Sequence, residues 1–338
     1  MNKKMQNIFL IVVTTILVLG MIRIAFFREK STITKQPETG KISLGTTEPI
    51  NDPSTARPKS VSWGVTKLDL EKKMAVYKIS SQQVDDAMIE KTARSFGFEG
   101  KAEVDQESFL VYNNTENNTT LDINKTSRTI KYSKNLLVYP MIKVVRTIPV
   151  EEIGERLKDL VTKRFDLKPE IKVTVERTEY ETLAGPRFVA SSREKADIVK
   201  INGNYQVGGY PVYSFAGFPI IARFSTDGNL LNLSVDLAFD ETSKQDSLTV
   251  KTEEELKRIP PENYKIVDID GEKDYDMSSY EEAIGGVNIT GGYLGYILTP
   301  ESDYLLPYVF FKGNSKLLSG PVVVTMAVPA LKEEGLYK

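Results

Sequence analysis

The stretch from Ile220 to Asp236, IIARFSTDGNLLNLSVD, admits little but a β-hairpin. Ile220, Ala222 and Phe224 recur at period two before Asp227-Gly228, and Leu231, Leu233 and Val235 recur at period two after it. Period two sends alternate side chains to opposite faces of a strand. An Asp-Gly pair between two such runs is a hairpin turn. One face of both strands is thereby expected to join a core, with a contribution to a groove as the alternative, while Asn232, Ser234 and Asp236 alternate outward. Gly208, Gly209 and Gly217, just upstream, fit bulges or tight bends.

Helical and strand signals alternate along the rest of the chain. In Ser81–Phe96, Val84, Ala87, Met88 and Phe96 recur at helical spacing, and Gly97 supplies a stop. In Val150–Phe165, Val150, Ile153, Leu157, Leu160 and Val161 form one stripe. Pro149 opens it, Glu151 and Glu152 fill the first turn, and Lys163 and Arg164 fill the last, as the helix dipole favours. Thr252 and Glu255 write a capping box before Leu256 and Ile259. Each helix is followed by strands: SFLVYNN and TTLDINKTSRTIKYS, then EIKVTVER and ADIVKING, then NITGGYLGYIL, LLPYVFFKG and PVVVTMAVPA. One helix followed by antiparallel hairpins, repeated, predicts an α+β fold with helices packed on antiparallel sheets.

Residues Ile8 to Phe27, IFLIVVTTILVLGMIRIAFF, form a near-continuous apolar run after Lys3 and Lys4. About 20 such residues span a bilayer as a helix, and Arg23 near one end can extend its charge to the interface. The run ends in Phe26-Phe27-Arg28 without the small-x-small site of a cleaved leader. The sequence therefore predicts a cytoplasmic tail over 1–7, a transmembrane signal anchor over 8–27 and a flexible tether over 28–62, rich in Thr, Ser, Pro and Gly. Trp63 marks the start of packed structure. A first α+β domain is expected over 63–148 and a second over 149–338, with a third helix-plus-sheet unit from residue 250 as the alternative division. The expected location is the cell membrane, single-pass, with the C-terminal body outside the cytoplasm.

Composition closes off much chemistry. None of the 338 residues is Cys or His. Histidine-based triads, dyads and proton shuttles are therefore excluded, as are nearly all zinc, copper, haem and iron–sulfur sites. No disulfide or acylated lipoprotein cysteine can form, so the core alone holds the fold. Residues 1–30 carry a net +4, which leaves −6 for the remainder of a chain whose total is −2. An acidic body disfavours nucleic acid as a partner.

Three patterns invite a functional reading. Ser192-Arg193-Glu194-Lys195 fits S-x-x-K, in which a lysine activates a serine. No K-T-G follows, since Lys251-Thr252 continues with Glu253, and the four residues sit in a polar connection where a helix is required; no catalytic residue is assigned. Asp268, Asp270, Glu272, Asp274 and Asp276 crowd one loop, with Glu281 beyond. Counted from Asp270 as a calcium loop, the sixth position, which needs Gly for its turn, is Tyr275. The segment reads as a solvated acidic loop, and no metal or cofactor is assigned. Asn113, Asn117, Asn118, Asn124, Asn232 and Asn288 begin N-x-[ST] sequons. No glycine loop of the phosphate-binding kind opens a helix.

The segment GNYQVGGYPVYSFAGFPIIARFSTDGNLLNLSVDLAF resembles a stretch of YycI/YycH-like regulatory proteins, in which a strand, a G-x-P-[IV]-[YF] element and a D-G hairpin follow one another. TTLDINKTSRTIKY after a helix is similar to PepSY-like exported modules, and YLLPYVFFKG resembles their closing strands. The resemblance implies tandem PepSY-like domains and a non-catalytic role, such as modulating a membrane-bound sensor kinase, and carries over no site residue. The expected function is thus a single-pass, membrane-anchored, exported binding or regulatory protein that acts by protein–protein contact. The residues also leave open an envelope-located peptidase inhibitor or hydrolase, and a structural component of an envelope assembly.

Overall fold

The computed structural model describes residues 57–64, 67–79, 86–135, 147–185, 187–214, 217–236, 242–270, 284–298, 304–317 and 320–332. They belong to one compact unit, Ser43–Lys338. Along the chain come β1 (Ser60–Trp63), β2 (Lys73–Ile79), α1 (Asp86–Ser95), β3 (Val104–Gln106), β4 (Phe109–Asn114), β5 (Thr119–Asn124), β6 (Thr129–Lys134) and α2 (Val150–Arg164). Next are β7 (Ile171–Ala184), β8 (Arg187–Ala190), β9 (Ile198–Val207), β10 (Tyr210–Ser214), β11 (Ile220–Ser225), β12 (Leu230–Asp236) and β13 (Thr242–Thr249). The last are α3 (Glu253–Lys257), β14 (Lys265–Asp270), β15 (Gly286–Leu298), β16 (Tyr304–Leu317) and β17 (Gly320–Pro329).

Strand accounts for 57% of the described residues and helix for 14%. This corrects the expected α+β class. The helices lie near where the sequence puts them, but β7, β15 and β16 run 14, 13 and 14 residues. Along most of β7 the side chains are half-covered on both faces and carry no strict alternation to read. Among the described residues no helix is long and apolar enough to cross a membrane, so the transmembrane helix of the expected class has no counterpart there. Residues 8–27 themselves lie outside the described residues.

The Ile220–Asp236 hairpin forms as β11 and β12. Ile220, Ala222, Phe224, Leu231, Leu233 and Val235 are all buried. At the turn the Gly228 N–H donates to the Ser225 carbonyl at 2.8 Å, with Gly228 at φ +85°. A second hairpin joins β9 to β10 through Gly208 and Gly209, at φ +60° and +90°. Positive φ at both central residues is the signature of a type I′ turn, which glycine adopts without strain.

Strands β3 to β6 form an antiparallel meander. The ladder continues from β6 to β12, to β11 and to β9, so backbone pairing crosses the boundary expected between residues 148 and 149. Helices α1 and α2 meet the meander through Phe96, which stacks on Tyr132 at 5.2 Å and approaches Phe165 at 6.2 Å. Ile153, Leu157 and Val161 of α2 are fully buried. The capping box at α3 is present in both directions, between Thr252 and Glu255. From β9 a second run of strands extends: β7 lies on one side of it and β10 on the other, and β10 leads to β15, β16, β17 and β14 in turn. The β10–β15 and β1–β15 pairs are parallel and the rest antiparallel. Strand β2 pairs with β13 and with the start of β16.

Truncating Leu157 to Ala should cost about 2–5 kcal/mol, the range for deleting a buried leucine. Equilibrium urea unfolding of the purified chain measures it, and a loss below 1 kcal/mol would mean that α2 is not seated on the sheet.

Candidate functional site

The run β7-β9-β10-β15-β16-β17-β14 is seven strands wide. Laid flat, its outer strands would stand about 29 Å apart at the ordinary spacing between neighbours. Instead Arg177 on β7 donates from Nη1 to Asp268 Oδ2 on β14 at 2.9 Å. A side-chain pair cannot reach across a flat ribbon, so the ribbon curls until its two ends face each other. They share no backbone ladder among the described residues.

The concave face of this curl has its own core. Tyr213, Val267, Ile297, Phe310 and Ala327 cluster there, with Phe218, Tyr293 and Tyr308 packed around them. The Tyr213 and Tyr293 hydroxyls lie 2.8 Å apart. Tyr293 stacks on Phe310 at 5.4 Å and 11°, and Tyr213 lies 4.7 Å from Phe310. Phe218 is carried onto this face by the turn after β10, where Ser214 and Gly217 exchange backbone hydrogen bonds. Its ring contacts Tyr213 at 5.7 Å and lies 5.2 Å from the Arg177 guanidinium.

Charge gathers where the two ends meet. Arg177 Nε stands 2.7 Å from Glu179 Oε1, and Nη1 stands 3.6 Å from Asp270 Oδ1. Lys200 on β9 holds the other Glu179 oxygen at 2.6 Å. Arg177 and Glu179 are two apart on one strand and share a face, which the register continues to Asn202 and Lys200. Burial pushes the Asp268 carboxyl above its ordinary range, Arg177 opposes this, and Asp270 adds to it. Burial also pushes Glu179 upward, but the Lys200 hydrogen bond and charge, together with Arg177, outweigh it and hold that carboxyl low. Burial raises Tyr213 and Tyr293. Asn204, with 0% exposure, lies beside the Tyr213 hydroxyl, yet neither side-chain amide atom completes a hydrogen bond of ordinary geometry.

The S-x-x-K residues are elsewhere and apart from this cluster. Ser192 and Lys195 are exposed on a turn after β8, and Ser192 hydrogen-bonds Glu194, whose carboxyl is held low by its own backbone N–H and by that bond. Of the acidic loop, Asp268 and Asp270 belong to β14 and pair with Arg177. Glu272, Asp274, Asp276 and Glu281 lie outside the described residues. No group of three or more acidic metal-ligating side chains occurs among the described residues. Of the sequon asparagines, Asn113, Asn117 and Asn288 are exposed, while Asn118, Asn124 and Asn232 are half-buried. Asn124 is engaged through Oδ1 with the Thr126 and Ser127 N–H groups.

Comparison with known proteins gives distant likenesses to solved structures. A crystal structure of an uncharacterized protein from Eubacterium rectale ATCC 33656 matches at a TM-score of 0.40 and 11% identity, over 80% of this chain and 87% of that one. No family model matches the chain. No curated protein matches it.

Sequence reasoning did not reach Arg177, Glu179, Lys200, Asn204, Tyr213 or Tyr293. One signal was present: KINGNYQV puts Lys200, Asn202, Asn204 and Gln206 on one face of a strand whose other face carries Ile201, Tyr205 and Val207, which groups polar side chains on a single face.

Glu179 and Asp268 should give opposite pH dependences. The folded value of Glu179 lies below its ordinary 4.5, so its contribution is complete above that pH and is lost as pH falls through the folded value. That of Asp268 lies above its ordinary 3.8, so ionising it costs stability as pH rises through the folded value. Between pH 3 and 7, the difference in melting temperature from wild type should become more negative for Glu179→Gln and more positive for Asp268→Asn. Parallel curves would contradict the assignment of these charges.

Proposed function

We propose that this protein is a non-catalytic binding or regulatory module that acts by protein–protein contact, and that the contact is made at the seam between β7 and β14. One observation carries the reading. Over Ile171–Glu179, β7 ladders to β9 alone among the described residues, and over Lys265–Asp270, β14 ladders to β17 alone. The Ser191 N–H donates to the Tyr180 carbonyl, so Tyr180 turns its backbone groups away from β9, and Thr178, two residues earlier, turns the same way. Open N–H and C=O groups on a strand edge are a template for another chain. Proteins also blunt such edges with proline, charged side chains, bulges, short strands or covering elements, and β7 carries Arg177 and a bulge between Val175 and Arg177 yet no proline. The aromatic floor beside the seam, from Phe218 to Tyr293, adds the ring surface on which contacts between proteins concentrate. The resemblance to YycI/YycH-like and PepSY-like proteins points to the same class of role, outside the cytoplasm.

The test is photo-crosslinking in the source cells with the full-length protein. A photoreactive residue at exposed Lys172, on β7, should give one discrete protein adduct, and the same residue at exposed Lys101 should give none. Thr178→Pro, which removes an outward N–H at the edge, should abolish the adduct while the purified protein melts cooperatively. An adduct equally strong at Lys101, or untouched by the proline, would sink the reading.

A further inference from the structure

Strand β1 is held lightly. Among the described residues it ladders to β15 alone, in parallel, with Ser60 to Trp63 beside Gly286 to Ile289. Parallel pairing is slightly weaker per residue than antiparallel pairing. No side chain of β1 is buried: Ser60 and Ser62 are exposed, and Val61 and Trp63 are half-buried. Trp63 meets Phe311 edge-on at 5.3 Å, and the Lys257 ammonium lies 5.4 Å from its ring. The Ser62 hydroxyl donates to Asn288 Oδ1 at 3.1 Å on an exposed surface.

No local turn returns β1 to its partner, since Ser62 and Asn288 are 226 residues apart. The Gly64 N–H donates to the Ile289 carbonyl at 2.9 Å, and the next fixed point is Leu68. The Leu68 N–H donates to Glu253 Oε2 at 3.0 Å, and its side chain lies against Gly292. Only Val65, Thr66 and Lys67 stand between the two points. Beyond them β2 is held by β13 and β16, with no ladder to β1. The body thus keeps its own pairings when β1 lets go.

The place that β1 leaves cannot stay bare. Strand β15 carries β16 on one edge and, on the other, β1 followed by β10. Release of β1 opens that second edge over Gly286 to Ile289 and uncovers the flanks of buried Val287, Ile289 and Phe311. An open edge beside apolar side chains is a template for another strand. The replacement is closely specified. It lies parallel, with an aliphatic and an aromatic side chain two apart beside Val287 and Ile289 and small hydroxyl residues between them. A glycine follows, because a Cβ at position 64 would come within 2.7 Å of Asn288 Nδ2. A second β1 meets each of these conditions by identity.

We propose that β15 takes β1 of a second copy of this chain in place of its own, so that two copies are joined by reciprocal exchange of Ser60 to Trp63. The β1–β15 contacts are the same in the exchanged and unexchanged forms. The balance between the forms is therefore set by protein concentration and by the Val65–Lys67 connection, which is the low-cost route to a dimer that exchange of identical elements provides. The inference does not rest on the contact proposed at β7 and β14.

The chain has no cysteine, so introduced thiols report on one contact only. Full-length protein carrying Ser62→Cys is mixed with differently tagged full-length protein carrying Asn288→Cys, and the mixture is oxidised. A disulfide joining the two variants should form severalfold above that from Lys101→Cys mixed with Asn288→Cys, and its share should grow with protein concentration. Ser62→Cys and Asn288→Cys together in one chain, oxidised at high dilution, should fasten β1 to its own β15. Sedimentation should then show the fastened chain as a monomer at concentrations where the unfastened chain forms a dimer. Ser60→Cys with Gly286→Cys repeats the test should the first pair disturb the fold, since a Cβ at position 286 lies 2.9 Å from Ser60 Oγ. A disulfide between variants no stronger than the Lys101 control would overturn the proposal. So would a dimer that persists when β1 is fastened, because it would be held by another surface.

Discussion

Strands β15, β16 and β17 are buried on both faces over Leu294–Leu298, Val309–Phe311 and Val324–Val328, and the rest of the molecule is arranged around that fact. Tyr296, Leu298, Val309, Phe311, Met326 and Val328 face one core, and Ile297, Phe310 and Ala327, interleaved with them, face the other. An antiparallel sheet commonly leaves one face to water. Here both faces need cover, and two different solutions appear. The larger core is covered by other elements, including β2 and α3 through Met74 and Leu256. The smaller is covered by the sheet itself, which curls over its own aromatics. Each buried aromatic removes roughly 150–250 Å² from water, so the curl is held by apolar burial over its whole width, and its ends are fixed by charge.

The charged contacts differ widely in weight. On the helices, Glu152–Arg156, Asp159–Lys163 and Glu253–Lys257 are i,i+4 pairs at the surface, a class that contributes about 0.3–0.5 kcal/mol. Arg177 and Arg223 are of another kind. Arg223 holds both oxygens of Glu181, at 2.7 and 3.2 Å, with Glu181 only 10% exposed, and packs its guanidinium on Phe188. Removing one member of such a pair strands the other, which costs far more than the pair contributes net. The two pairs do different work. Arg223 ties β11 to β7 within the sheet, whereas Arg177 joins strands that no ladder connects.

Local chemistry was legible in the sequence and long-range assembly was not. Asp227-Gly228 and the alternation around it fixed the β11–β12 hairpin. Pro149 with Glu151 and Glu152 marked the start of α2, and Thr252 with Glu255 marked α3, because a turn or a cap is decided by neighbours a few residues apart. Among the described residues, the expectation of helices layered on antiparallel sheets gave helix too large a share of the body. Strands such as RTEYETLA at the end of β7 show no period to count, since both their faces are half-covered. The candidate site was invisible for a related reason. Arg177 and Asp268 are 91 residues apart, and nothing in either neighbourhood names the other. Asp268 and Asp270 read as part of a solvated loop, when their partner lies on a strand that only the fold brings close.

The parallel pairing of β1 with β15 has a consequence for how the chain comes off the ribosome. Ser62 and Asn288, neighbours in that pair, are separated by 226 residues. At about 5–20 residues per second of translation, β1 waits on the order of 10–45 s for its partner to be made. Strand β2 waits comparably for β13 and for β16. Strands β1 and β2 must stay uncommitted until these late partners are made, so their pairing comes late in folding, and any factor that attends this nascent chain has a long opportunity there.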